Sequence, residues 1–210
     1  MGHDVEIACR CGNVHGWVRG ASPRTVSHVV CYCDDCQVYV HHLGRVDLLD
    51  EHGGTDLVQV SPSSLTFDRG TDRIAGLRLG PKGLFRWYAS CCKTPLGNTT
   101  TPSLPFVGIT HGAFPGIDAS RRDELFGAPW RVQGKFAVGG PPEGATVSNV
   151  RGGARAARLV LGGKLRGKGW PNPFFDRTTG ERRYPVSVLS KAERDALRTL
   201  AGPRPAHPTA

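Results

Sequence analysis

Residues 30–39 read VCYCDDCQVY and place Cys31, Cys33 and Cys36 within six positions. Thiols this dense can hold a metal as thiolates, cycle as a redox pair through Cys33-x-x-Cys36, or pack as small apolar groups. Alternate side chains share a face in an extended strand, so Cys31 and Cys33 point the same way, as do Cys9 and Cys11 in ACRCG. A tight turn through Asp34 and Asp35 then brings Cys36 back toward the first two, with both carboxylates facing solvent. Zinc takes four protein ligands where it is structural, but three plus water or substrate where it is catalytic. A three-cysteine cluster with no evident fourth ligand therefore has the form of an open site. Cys9 and Cys11 lack local partners, and only Cys91 and Cys92 remain to close a second, structural site about eighty residues away. Adjacent side chains diverge in a strand, so one of these two is expected as a ligand, with the other packed or free. A redox pair usually precedes a helix in a βαβ unit, a pattern these flanks do not show.

With these motifs in view, the chain resembles the family of glutathione-dependent formaldehyde-activating enzymes and centromere protein V over roughly residues 5–112. CRCG at 9–12 is similar to the family's opening zinc half-site, CYCDDCQ at 31–37 to its Cys-His-Cys-x-x-Cys motif, and CCKTPLGN at 91–98 to its closing segment. The resemblance implies a β-tent fold, an active-site zinc on Cys31, Cys33 and Cys36, and a structural zinc on Cys9, Cys11 and Cys92. It further implies carbon–sulfur lyase chemistry on thiol–aldehyde adducts, with glutathione or another small thiol as substrate. Aligned on Thr94-Pro95-Leu96, the family's first closing cysteine falls on Ala89, for which Cys91 is the candidate substitute through a local bulge. Tyr32 stands in place of the usual histidine, and Lys93 in place of a glycine. PNPFFD and PVSVLS, beyond the shared motif, look like segments of a bacterial branch of the family. Gln37, Thr94 and Asn98 are the candidate substrate-binding residues near the cluster. His41 and His42, read as the end of a strand, are weighed as a fourth ligand or proton carrier.

The elements that must position these thiols are short. Gly (28) and Pro (16) make up about a fifth of the 210 residues, which implies many turns. VEIACRCGNVHGWVRG, TVSHVVCYC, TDLVQVSPSSLTF, IAGLRLG and LFRWYASCC read as short strands, so a mainly β fold of packed antiparallel sheets is expected over residues 1–118. Residues 119–200 read as a basic, partly helical extension packed on it. Its expected elements are a short helix in SRRDELFG, an amphipathic helix from Val147 with Val150, Ala154, Ala157, Val160, Leu161 and Leu165 on one face, and a last helix opened by the Ser190 capping box. Residues 201–210 read as a disordered tail.

The net charge is +9, and nine Lys or Arg face only Asp176 and Glu181 between Arg151 and Arg183. This favours anionic partners and supports a second reading, a non-catalytic zinc module whose basic face meets nucleic acid. Trp170, Phe174, Phe175 and Tyr184 lie in that region and are expected to be core rather than base-stacking surface. No apolar run approaches the roughly 20 residues of a membrane helix. The start MGHDVEIACRC lacks a signal-peptide stretch, and seven cysteines suit metal better than a disulfide set, so a cytoplasmic protein with no membrane partner is expected.

Overall fold

The computed structural model describes residues 2–145 and 150–203. Its architecture is mainly β, as the strand-and-turn pattern predicts, with eleven strands in two sheets and four α-helices among the described residues. A small antiparallel sheet joins β1 (His3–Ala8), β2 (His15–Ala21) and β5 (Leu65–Arg69). The larger sheet contains β3 (Ser27–Cys31), β4 (Thr55–Val60), β6 (Ile74–Arg78), β7 (Phe85–Ala89), β8 (Pro95–Thr99), β9 (Val107–Thr110), β10 (Trp130–Val132) and β11 (Val186–Val188). Their spatial order is β10-β3-β4-β9-β8-β7-β6-β11. Its inner pairs are antiparallel, whereas β10 and β11 join the two edges in parallel with β3 and β6.

The segment beyond residue 118 is thus built into the sheet. It also fills the core: Phe174 stacks on Trp87 at 4.9 Å with an interplanar angle of 6°, and Phe175 meets the same ring edge-on. Both phenylalanines are buried, as their apolar flanks predict, while Trp170 and Tyr184 pack partly buried against them. Helix α2 (Ala119–Phe126) is capped by Asp118, and α4 (Lys191–Arg198) by the reciprocal Ser190–Glu193 capping box. Helix α3 spans Val150–Leu165, but Leu161 and Leu165 are exposed, contrary to the apolar face expected of them. Val147 and residues 204–210 of the expected tail lie outside the described residues. The described part of that tail is ordered, since Gly202 is buried and donates its N–H to Gln37 Oε1 at 2.7 Å.

One element departs from the sequence reading. Residues Asp34–His42, expected as a turn followed by a strand, form helix α1. Asp34 and Asp35 occupy its first turn and His41 and His42 its last, the charge order a helix macrodipole favours. Gly44, at φ 64°, lies just beyond its end. Val38, Tyr39, Leu43, Leu77, Leu79 and Leu189 bury the contact between this helix, the sheet and the C-terminal segment.

A buried ion cluster ties α2 to the sheet. His28 Nδ1 donates to the Gly127 carbonyl at 2.7 Å and Nε2 to Asp56 Oδ1 at 2.8 Å, while Arg122 Nε donates to Asp56 Oδ2 at 2.9 Å. Both ring nitrogens face acceptors, so the imidazolium satisfies the site. Burial works against that charge, but Asp56, the Gly127 carbonyl and Asp123 prevail and raise His28 above the ordinary histidine value. Asp56 is lowered despite burial by the His28 hydrogen bond and charge and by Arg122 and His111. The stability from His28 is therefore complete below the unfolded value near 6.5 and lost as pH rises through its raised folded value. The Asp56 contribution is lost only as pH falls through its lowered value. The urea midpoint of the wild type should fall as pH rises above the ordinary histidine value by an increment missing in His28→Gln; equal pH dependence in the two proteins would contradict this.

Candidate metal centres

The first centre forms where β1 leaves the small sheet and β7 turns into β8. After Ala8 the chain reverses, with Gly12 at φ 75°, a conformation glycine adopts without steric cost, and the Val14 N–H points at Cys9 Sγ at 3.2 Å. On the other side β7 ends at the buried Ala89, and residues 90–93 turn back, closed by Lys93 N–H to the Ala89 carbonyl and Ala89 N–H to the Thr94 carbonyl. Because Cys91 and Cys92 sit in this turn rather than in a strand, their side chains do not diverge. This corrects the expectation that only one of them faces the site: the sulfurs of Cys9, Cys11, Cys91 and Cys92 all lie within 4.8 Å of one another.

The separations are 3.5 Å for Cys9–Cys11, 3.8 Å for Cys9–Cys91, 3.3 Å for Cys11–Cys91 and 3.9 Å for Cys91–Cys92. Four sulfurs placed tetrahedrally at about 2.3 Å from one ion are about 3.8 Å apart, so the donor set fits a tetrahedral thiophilic metal. Thr94 Oγ1 lies 3.2 Å from Cys92 Sγ and also accepts from the Arg10 N–H and Arg45 Nη1. Against burial, this hydroxyl and the backbone N–H groups of Cys11 and Thr94 bring Cys92 down to about 6. Burial and hydrogen bonds shared with Cys11 and Cys9 push Cys91 up to about 12.

The second centre spans the junction of β3 and α1. Cys31 ends the strand, Cys33 is the helix N-cap and Cys36 lies in the first turn; their sulfurs also fall within 4.8 Å of one another. Cys36 is buried, whereas Cys31 and Cys33 are partly exposed. Among the described residues, no His, Asp or Glu joins this group. His41 and His42 lie at the opposite end of α1, more than a turn beyond Cys36, which removes them as ligands. Hydrogen bonds with Cys31 and Cys33, helped by Arg86 and opposed by burial, hold Cys36 well below the usual thiol range. Cys33 is raised by its hydrogen bonds to Cys31 and Cys36 and by burial.

Arg86, which the sequence reading did not single out, is nearly fully buried on β7. Its Nη1 lies 3.9 Å from Cys36 Sγ and its guanidinium 5.2 Å from the centre of the Tyr39 ring. Asp34 and Asp35, expected to face solvent, instead receive Arg198 of α4, whose Nη1 and Nη2 reach them at 2.9 and 2.7 Å. Both carboxylates are thereby tied to the C-terminal helix, while the Asp35 charge is still felt at Arg86.

Of the candidate substrate-binding residues, Gln37 is fully engaged. It donates to the carbonyls of Tyr32 and Phe136 and accepts from Gly202, so it fastens loops together. Thr94 belongs to the four-cysteine centre. Asn98 differs, because its Oδ1 is buried without a hydrogen-bond partner among the described residues, as are Thr55 Oγ1 and Gln59 Oε1. The register puts these atoms on one face of the large sheet. Cys31 pairs with Thr55, and Gln59 on the same strand pairs with Gly108, which pairs with Asn98, which pairs with Arg86. Cys31, Arg86 and three unsatisfied polar atoms therefore share a face.

Against known proteins, a family profile described as "Family of unknown function (DUF6151)" matches residues 1–182. No curated protein matches the chain. Among solved structures it is similar to the crystal structure of a Rhodobacter sphaeroides protein, a Northeast Structural Genomics target. The two share 17% identity, with a TM-score of 0.42, over 60% of this chain and 99% of that one.

Proposed function

The chain belongs to the DUF6151 family, whose description assigns no activity, and from its own residues we propose that it is a zinc-dependent carbon–sulfur lyase acting on thiol–aldehyde adducts. The observation that carries this reading is the trio of partly exposed Cys31 and Cys33 with buried Cys36, converging beside buried Arg86 with no fourth ligand among the described residues. A zinc ion held there would supply a positive centre that stabilises a thiolate or polarises a carbonyl oxygen. Three thiolates around a divalent ion leave one net negative charge, and the Arg86 guanidinium offsets it at close range in a buried setting. Arg198 pairs with the Asp34 and Asp35 carboxylates, which offsets part of the negative charge they bring to the helix start. Asn98, Gln59 and Thr55 offer hydrogen-bond acceptors to the N–H and O–H groups of a polar thiol.

In the proposed reaction the carbon–sulfur bond of a hydroxymethyl thioether breaks. The hydroxyl proton is released as its oxygen becomes the aldehyde carbonyl, and the bonding pair leaves with sulfur as a thiolate. The resemblance to glutathione-dependent formaldehyde-activating enzymes supplies the first substrate pair to test. The protein should accelerate exchange between free formaldehyde and its glutathione adduct in NMR exchange spectra, and Cys33→Ser should abolish that acceleration. An unchanged exchange rate with the wild type would remove this pair. The nucleic-acid reading is weaker, because Phe174 and Phe175 are core and cannot stack on bases, and Trp170 and Tyr184 pack partly buried against that core.

A further inference from the structure

Charges left unpaired around a cavity mark a second site, on the face of β7 opposite Arg86. The cavity, of about 650 Å³, lies between β6, β7 and the loop that carries Phe175 and Arg182. This size falls within the range of small-ligand sites, about 300–1,000 Å³. Arg78, Lys82 and Arg182 line it, and none of them forms an ion pair among the described residues. Glu181, the carboxylate in its lining, forms none among the described residues either. Surface cations on a folded protein commonly find a carboxylate or disperse into solvent, whereas these three converge on a single concavity that concentrates their field.

The apolar wall is Phe85 and Phe175, in edge-to-face contact at 5.6 Å. Arg78 donates Nε to the Gly83 carbonyl at 3.1 Å, which fixes its guanidinium 4.7 Å from the centre of the Phe85 ring. Arg182 lies 6.0 Å from the same ring. Thr100 adds a hydroxyl that is buried and has no hydrogen-bond partner among the described residues. A flat guanidinium on an aromatic floor, two further cations and an unused hydroxyl match a molecule with a multiply charged anionic end and a planar ring.

We propose that this cavity binds a small phosphate monoester bearing a planar ring, of mononucleotide size. The phosphate lies among Lys82, Arg182 and Thr100, and the ring lies against Arg78 and the partly exposed Phe85, which the buried Phe175 backs. The site is independent of the thiol centres, since Phe85 and Arg86 are neighbours on β7 whose side chains leave opposite faces of the sheet.

Calorimetric titration of the full chain with AMP, adenosine and inorganic phosphate tests the proposal. AMP should saturate one site and bind at least about tenfold more tightly than either adenosine or phosphate. The double variant Lys82→Ala/Arg182→Ala should weaken AMP by about tenfold or more at an unchanged thermal midpoint. Glu181→Gln should strengthen AMP several-fold, a gain that misfolding cannot produce. Absence of saturable AMP binding, equal affinity for AMP and adenosine, or indifference to these substitutions would overturn the assignment. So would binding of an oligothymidylate through the same residues without binding of AMP, because the cavity would then belong to a nucleic-acid face.

Discussion

Replacing the exposed Cys11 with serine should remove one metal ion per chain and lower stability by about 4–5 kcal/mol, a loss characteristic of a structural metal centre. In a domain of this length that corresponds to a fall in thermal midpoint of roughly 10–15 °C. The size of the effect follows from what the centre joins. Cys9 and Cys11 leave the first strand, Cys91 and Cys92 lie in the β7–β8 turn, and Cys11 and Cys91 are exposed. With little apolar burial at two of its four positions, the junction depends on the ion for its cohesion. Cys33→Ser, at the other centre, should lose its metal with a much smaller change in midpoint, because α1 is held independently by Val38, Tyr39 and Leu43 and by Arg198. Equal midpoint losses in the two variants would contradict the division into a structural and an open centre. Cys36→Ser discriminates less well, since Cys36 is itself buried and its replacement perturbs packing as well as ligation.

The second large effect is expected at Arg86. Arg86→Gln keeps hydrogen-bonding capacity but removes the charge, leaving a buried thiolate cluster uncompensated. Breaking a buried ion pair from one side costs about 3–5 kcal/mol. Residues that support ligands from outside the coordination sphere change metal affinity by about 10–100-fold when replaced. In competition with a chromophoric chelator, Arg86→Gln should release one of its two metals at a lower chelator concentration than the wild type, with the other unaffected. Arg86→Lys should fall between the two, since a compact ammonium keeps the charge but not the planar stacking on Tyr39. Unchanged metal affinity in Arg86→Gln would show that the guanidinium only fills space.

Both predictions rest on features of unequal visibility in the sequence. The cysteines announce themselves by spacing, and the alternation of Val5 and Ile7, or of Trp87 and Ala89, marks strands on which these residues are buried. The strand pattern misleads at VYVHH, where Val38, Tyr39 and Val40 are all buried because the sheet packs on one side of α1 and the C-terminal segment covers it further. The local signals for that helix were present: two aspartates at its start, two histidines at its end and a glycine beyond. The β-branched Val38 and Val40 favour a strand locally, and tertiary packing overrides that propensity in the fold.

Arg86 was hidden for a related reason. A charged residue that alternates with aromatics reads as the solvent side of a strand, and only the arrival of α1 on that face makes it interior. The joint role of Cys91 and Cys92 depended on where β7 stops. Ala89 is the last strand residue, so the pair falls in a turn where the divergence rule for strands no longer applies. Asn98 was legible as a polar residue near the motif. Its distinction from Gln37 and Thr94 lies in hydrogen bonds to Gly202, Arg10 and Arg45, which are remote in sequence.

The most direct test is metal content per chain, by elemental analysis of protein purified without added metal or a metal-binding tag, for the wild type and Cys33→Ser in parallel. Two zinc ions in the wild type and one in Cys33→Ser are the predicted result. A wild type without metal, or a Cys33→Ser protein whose metal content equals that of the wild type, would contradict an open zinc centre on Cys31, Cys33 and Cys36.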